Sequence, residues 1–92
     1  MDAVNKYFNE NREGKFVPEM ICADNFKMSV QASRTHYCSP RNESGPYKSV
    51  EVLPDEGESL FEELRGDGSG VYGWVPVDVV AKVITKHGGL RV

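Results

Sequence analysis

The sequence predicts a small α+β domain, with three or four mostly antiparallel strands in one sheet packed against a C-terminal helix. Three observations predict it. The chain has 92 residues, enough for a single domain spanning 1–92 that buries only about 60–65 % of its unfolded surface, so the core must be thin. Residues 26–32 alternate, with Phe26, Met28, Val30 and Ala32 on one side, the pattern of a strand with one wet face. Residues 77–87 carry Val77, Val80, Ala81, Val83 and Ile84 at helical spacing and stop at Gly88-Gly89, the pattern of a capped amphipathic helix.

Each remaining element follows from local chemistry. Asp2 can cap a short helix containing Ala3, Val4, Tyr7 and Phe8, although a helix this short is marginal alone and residues 1–15 equally suit a flexible arm. Residues 16–22 are apolar and extended, and Ala23-Asp24-Asn25 supplies a turn into the alternating strand, giving a β-hairpin. Pro18 lacks a backbone donor and suits a strand end or edge. Residues 33–46 hold two prolines and several turn formers without periodicity, a long irregular loop. Residues 47–53 form the third strand, with Val50 and Val52 inward and Glu51 outward. Ser59 and Glu62 fit a capping box for one or two turns that bury Leu60, Phe61 and Leu64. The glycines of residues 66–70 make a flexible turn, not a phosphate loop, because no Lys-Ser/Thr follows. Residues 71–75 form a fourth strand, and Pro76 suits the first turn of the last helix. Asp78 near its start and Lys82, Lys86 and His87 near its end complement its dipole.

Composition excludes several classes. With 39 % hydrophobic and 27 % charged residues, the chain is too apolar for disorder, and no run approaches the ~18 residues of a membrane span. The first twenty residues lack the plan of a signal peptide, so a cytoplasmic location is expected. Cys22 and Cys38 are the only cysteines and read as free thiols, Cys22 in the core and Cys38 the more exposed. The net charge of −3 is uneven: residues 1–50 carry seven Lys/Arg against six Asp/Glu, residues 51–92 four against eight. The acidic stretch containing Glu62 and Glu63 is a solvated face or a contact for a basic partner, and it disfavours nucleic acid.

Chemistry-bearing side chains concentrate in the 33–47 loop: Arg34, His36, Tyr37, Cys38, Arg41, Glu43 and Tyr47. Long loops in compact domains are often functional. Arg34 and Arg41 could hold a phosphate or carboxylate, with Tyr37 and Tyr47 stacking on a ligand or filling a partner's pocket. Alternatively the tyrosines anchor the loop and the arginines pair with acids. His36 and Cys38 lie two apart, but no third residue orients them as a nucleophile and base. The spacing of His36, Cys38, Cys22 and His87 matches no zinc site, so no metal, cofactor or catalytic residue is expected. Trp74, the single tryptophan, packs between strand and helix, or pairs with Tyr72 as an exposed anchor.

Two resemblances bear on this. Gly73-Trp74-Val75-Pro76-Val77-Asp78-Val79-Val80 resembles the Gly-Trp-Phe-Pro-x-x-Tyr-Val end of a Src-homology-3 domain. That family's acidic-aromatic loop and paired tryptophans are missing upstream, and the stretch continues into a helical pattern. The chain from Met20 onward looks like small uncharacterised proteins of bacteriophages and prophages. The stretches that carry this are Met28-Ser29-Val30-Gln31-Ala32-Ser33, His36-Tyr37-Cys38-Ser39-Pro40-Arg41, Gly45-Pro46-Tyr47, residues 71–77 and Lys86-His87-Gly88-Gly89. This resemblance implies no fold or activity, but small phage proteins often mask host enzymes or defence complexes. The expectation is a non-catalytic accessory protein that binds and inhibits a host protein or defence complex, of the anti-CRISPR type. Arg34, His36, Tyr37, Arg41, Tyr47, Glu62 and Glu63 are its candidate contact residues, and a small anionic or nucleotide-like ligand on the same loop is the alternative.

Overall fold

A computed structural model of the chain describes residues 2–14, 16–55, 57–64 and 70–91. Its elements run α1 (Ala3–Asn11), β1 (Met20–Ile21), β2 (Lys27–Gln31), β3 (Ser49–Pro54), α2 (Ser59–Glu62), β4 (Tyr72–Pro76) and α3 (Val77–Lys86). The four strands form one antiparallel sheet in chain order, and with its helices the chain is a small α+β fold. Met28 and Val30 of β2, Val50 and Val52 of β3 and Val75 of β4 point inward, where they meet Val4 and Phe8 of α1, Phe61 of α2 and Val80, Val83 and Ile84 of α3. The opposite face of the sheet carries the alternate residues.

The N-terminal helix is part of this core. Asp2 accepts the Asn5 N–H at 2.9 Å as its cap, and Val4 and Phe8 are buried. Packing, not propensity, sustains so short a helix. The last helix matches its pattern closely, with Val80, Val83 and Ile84 buried and Gly88 in the left-handed region after it.

Several expectations need correction. Residues 16–22 do not form one continuous strand: only Met20–Ile21 pairs with β2. Phe16 bridges back to Glu13, and the Gln31 amide takes both backbone groups of Val17, at 3.1 and 2.9 Å. A side chain thus replaces the ladder there. The cap of α2 is Glu58, not Ser59: its carboxylate accepts the Leu60 N–H at 2.8 Å. Pro76 closes β4 opposite Ser49 and stands immediately before α3, one position earlier than expected. Cys38 is 1 % exposed, no more open than Cys22; its Sγ donates to Ser33 O at 3.1 Å, so the polar loop folds over it. Trp74 does not pack between sheet and helix but is 54 % exposed. Most of the glycine-rich 66–70 turn lies outside the described residues. Among those described, no helix is long and apolar enough to cross a membrane.

Candidate binding surface

The register of β4 sets up the most unusual feature of the outer sheet face. Val50 pairs with Val75 and Val52 with Tyr72, so Gly73 and Trp74 together face the single residue Glu51. This is a β-bulge, a device that re-aims a side chain by inserting one residue into one strand. Trp74 sits there at φ 51°, in the left-handed region that costs a bulky residue about 1–3 kcal/mol.

The bulge is locked to the 33–47 loop through Tyr37. The Trp74 N–H donates to Tyr37 O at 2.9 Å, and the Tyr37 N–H donates to Glu51 Oε2 at 3.2 Å. The two rings stack with centroids 5.1 Å apart and planes 27° apart. Gly73 lies beneath: a Cβ there would stand 3.0 Å from Tyr37 Cβ. Although fixed by these contacts, the pair stays open to solvent, with Tyr37 50 % and Trp74 54 % exposed. Next in the chain, His36 meets Phe16 edge to face at 5.8 Å, and Phe16 is itself 55 % exposed. His36 Nδ1 shares a 2.6 Å hydrogen bond with the buried Ser33 hydroxyl. Two aromatic pairs, Phe16–His36 and Tyr37–Trp74, are thus joined through consecutive residues of the loop and together make an aromatic ledge.

The loop beneath is anchored from inside. Tyr47 is buried, meets Phe8 edge to face at 5.4 Å and donates its hydroxyl to Asn42 O at 2.6 Å. The Arg12 guanidinium donates to Tyr47 Oη at 2.9 Å and Ala32 O at 2.6 Å. Burial raises the Tyr47 phenol above its ordinary value, against the pull of Arg12. Asn42 Oδ1 accepts the Ser44 and Gly45 N–H groups, turning the chain tightly, and the Ser39–Pro40 and Gly45–Pro46 bonds are cis.

The expected site residues therefore divide. His36 and Tyr37 belong to the ledge. Tyr47 serves the core as the loop's anchor. Arg34 pairs with Glu43 at 3.2 Å, while Arg41 is exposed. Glu62, the last residue of α2, and Glu63, its C-cap, are exposed; Glu62 lines an open cleft of about 470 Å³ with Pro54, Asp55, Glu58, Phe61 and Tyr72, and among the described residues neither acid bonds to the loop. The side chains of His36 and Cys38 both lean on Ser33, and the bond between the two residues is a backbone one, Cys38 N–H to His36 O at 3.0 Å. Burial raises the Cys38 thiol above its usual value, away from the thiolate a nucleophile requires. The sequence reading missed Phe16, Gly73 and Glu51 as parts of the surface. Only Gly73, a glycine within a strand pattern, carried a signal, since such glycines mark bulges and close approaches.

No family model, curated protein or solved structure matches this chain.

Proposed function

We propose that this chain is a non-catalytic binding protein that engages a protein partner through the Phe16–His36–Tyr37–Trp74 ledge. The observation that supports this most directly is Trp74: a bulky residue held in the left-handed region with half of its surface exposed. Backbone strain persists where the surroundings enforce it and concentrates at functional sites. Exposed tryptophan and tyrosine are also the side chains that anchor interfaces most strongly. Three rings about half open, Phe16, Tyr37 and Trp74, leave roughly 300 Å² of aromatic surface in water, at the size where patches on monomers are often functional.

The resemblance to small phage proteins puts a host protein or defence complex first among partners to test, and a cytoplasmic location goes with that proposal. An anion clamp by Arg34 and Arg41 is less well supported, because Arg34 already gives its Nε to Glu43.

The test is proximity labelling in bacterial cells with wild type, Trp74→Ala, Tyr37→Ala and the distant exposed control Lys82→Ala. We expect a partner enriched equally by wild type and Lys82→Ala and lost by at least tenfold with both ledge variants. A partner retained by Trp74→Ala would overturn the proposal.

A further inference from the structure

Away from the ledge, three elements meet on one imidazole. His87 caps the C-terminus of α3. Its Nδ1 lies 2.5 Å from Asp24 Oδ2, in the turn between β1 and β2, and its Nε2 lies 2.5 Å from Glu58 Oε1, at the start of α2. The ring stacks on Phe26 with centroids 4.3 Å apart and planes 14° apart, and its side chain is 16 % exposed. Ionised carboxylates only accept hydrogen bonds. Both ring nitrogens must therefore carry hydrogen, and the ring in this arrangement is the imidazolium. Both nitrogens are also taken, leaving no lone pair for a metal.

A neutral imidazole could serve only one of the two acids, and the two are not equivalent. The Glu58 side chain is 1 % exposed and keeps the Leu60 N–H at 2.8 Å and Lys86 Nζ at 3.0 Å on its other oxygen. Leaving Oε1 without a donor would strand a buried acceptor, which costs about 1–3 kcal/mol or more for a charged group. The Asp24 side chain is 51 % exposed, holds the Phe26 N–H at 3.0 Å through its other oxygen, and can turn Oδ2 to water.

We propose that His87 is a proton-operated latch between the β1–β2 turn and α2, in which loss of one proton releases Asp24 and retains Glu58 on Nε2–H. The groups that set its titration are Asp24 from the β1–β2 turn and Glu58 from α2; the Cys22 thiol faces Asp24 and the Lys86 ammonium faces Glu58, so both act on the ring through those acids. Asp55 bonds the Lys27 N–H at the adjoining strand ends. Burial disfavours the charged ring, but the bonds to Asp24 and Glu58 outweigh it and raise His87 above its ordinary value. The closed state thus persists above the pH at which a free imidazole loses its proton, and opens as pH rises further. The Ala23 N–H to Gly89 O bond at 2.8 Å holds the turn itself in place, which confines the opening to Asp24 and its neighbours.

Long-range ¹H–¹⁵N correlation on the histidine-labelled full chain tests this across pH. We expect both His87 nitrogens protonated at first, then an Nε2–H pattern. The Asp24 and Phe26 amides should move with the same midpoint while the Leu60 amide stays still. Asp24→Asn should keep the fold and lower the midpoint by roughly one pH unit. A neutral Nδ1–H form, a Leu60 amide that moves instead, or a midpoint unmoved in Asp24→Asn would each overturn the latch.

Discussion

Asn5 completes the backbone of Tyr47. Its Oδ1 accepts the Tyr47 N–H at 2.7 Å and its Nδ2 donates to Tyr47 O at 2.9 Å, both bonds buried and 42 residues apart in sequence. The first helix thereby fixes the end of the loop that carries the aromatic ledge. Asn5→Ala would leave two buried backbone groups unpaired, each costing about 1–3 kcal/mol. We expect a loss of about 3 kcal/mol in urea unfolding followed by far-UV circular dichroism, a large share of the ~5–14 kcal/mol available to a domain of this size. A loss under about 1 kcal/mol would show that water replaces the amide there.

At Trp74 the left-handed backbone makes glycine and alanine unequal. Both substitutions remove the stack on Tyr37, so their difference isolates the backbone. The left-handed region costs alanine about 1–2 kcal/mol, offset by about 0.4–1 kcal/mol from the greater freedom of unfolded glycine. Trp74→Gly should therefore be more stable than Trp74→Ala by about 0.5–1 kcal/mol. The reverse order would mean that the strand relaxes once the indole is gone.

Gly73 tests the other side of the same bulge. A Cβ there meets the Tyr37 Cβ at 3.0 Å, close to the backbone, so the loop itself must move. Gly73→Ala should cost about 1–3 kcal/mol, the range for overpacking, and should weaken the near-UV dichroism of the Tyr37–Trp74 pair. An unchanged near-UV spectrum with wild-type stability would count against the close approach.

Stability should fall on both sides of a plateau in pH. His87 is raised above its unfolded value, so its contribution is complete below about 6.5 and fades as pH rises through the raised value. Burial opposes the charge on Glu58, yet its bonds from Leu60, His87 and Lys86 win and lower it. Asp24 is lowered by the Phe26 N–H and then by His87. Those two contributions are present above about 4–4.5 and fade as pH falls through the lowered values. Urea midpoints measured across pH should show both declines, and His87→Gln should flatten the alkaline one.

Both thiols should resist a water-soluble alkylating reagent in the native state. Cys22 and Cys38 are at most 1 % exposed, and burial raises both thiols. Mass spectrometry should find both modified only as fast as the chain opens, with rates that rise together in urea. Rapid single labelling of Cys38 would show that the loop lifts independently.

Legibility in the sequence followed the range of the interactions. The strand of Met28 and Val30 and the helix of Val80, Val83 and Ile84 declare themselves through period, because each buries one face against the whole core. The shortened β1 was not legible, since its ladder is displaced by the Gln31 amide, a contact made by a polar side chain 14 residues from Val17. The cap of α2 moved from Ser59 to Glu58 because His87 and Lys86, far along the chain, hold that carboxylate in place. The loop was recognised as the place to look, but which of its rings face water was not. That depends on a bulge in β4, which turns Trp74 outward and gives it Tyr37 as a partner in place of the neighbouring Tyr72, which stacks instead on Phe61.

The placement of Trp74 also makes the chain a poor reporter of its own unfolding. Its only indole is already half in water in the native state, so emission should shift little when the fold is lost. The same ring would be dried by any partner that covers the ledge. Fluorescence that is nearly silent in urea should therefore turn blue on contact, and the light from one residue would distinguish being bound from being folded.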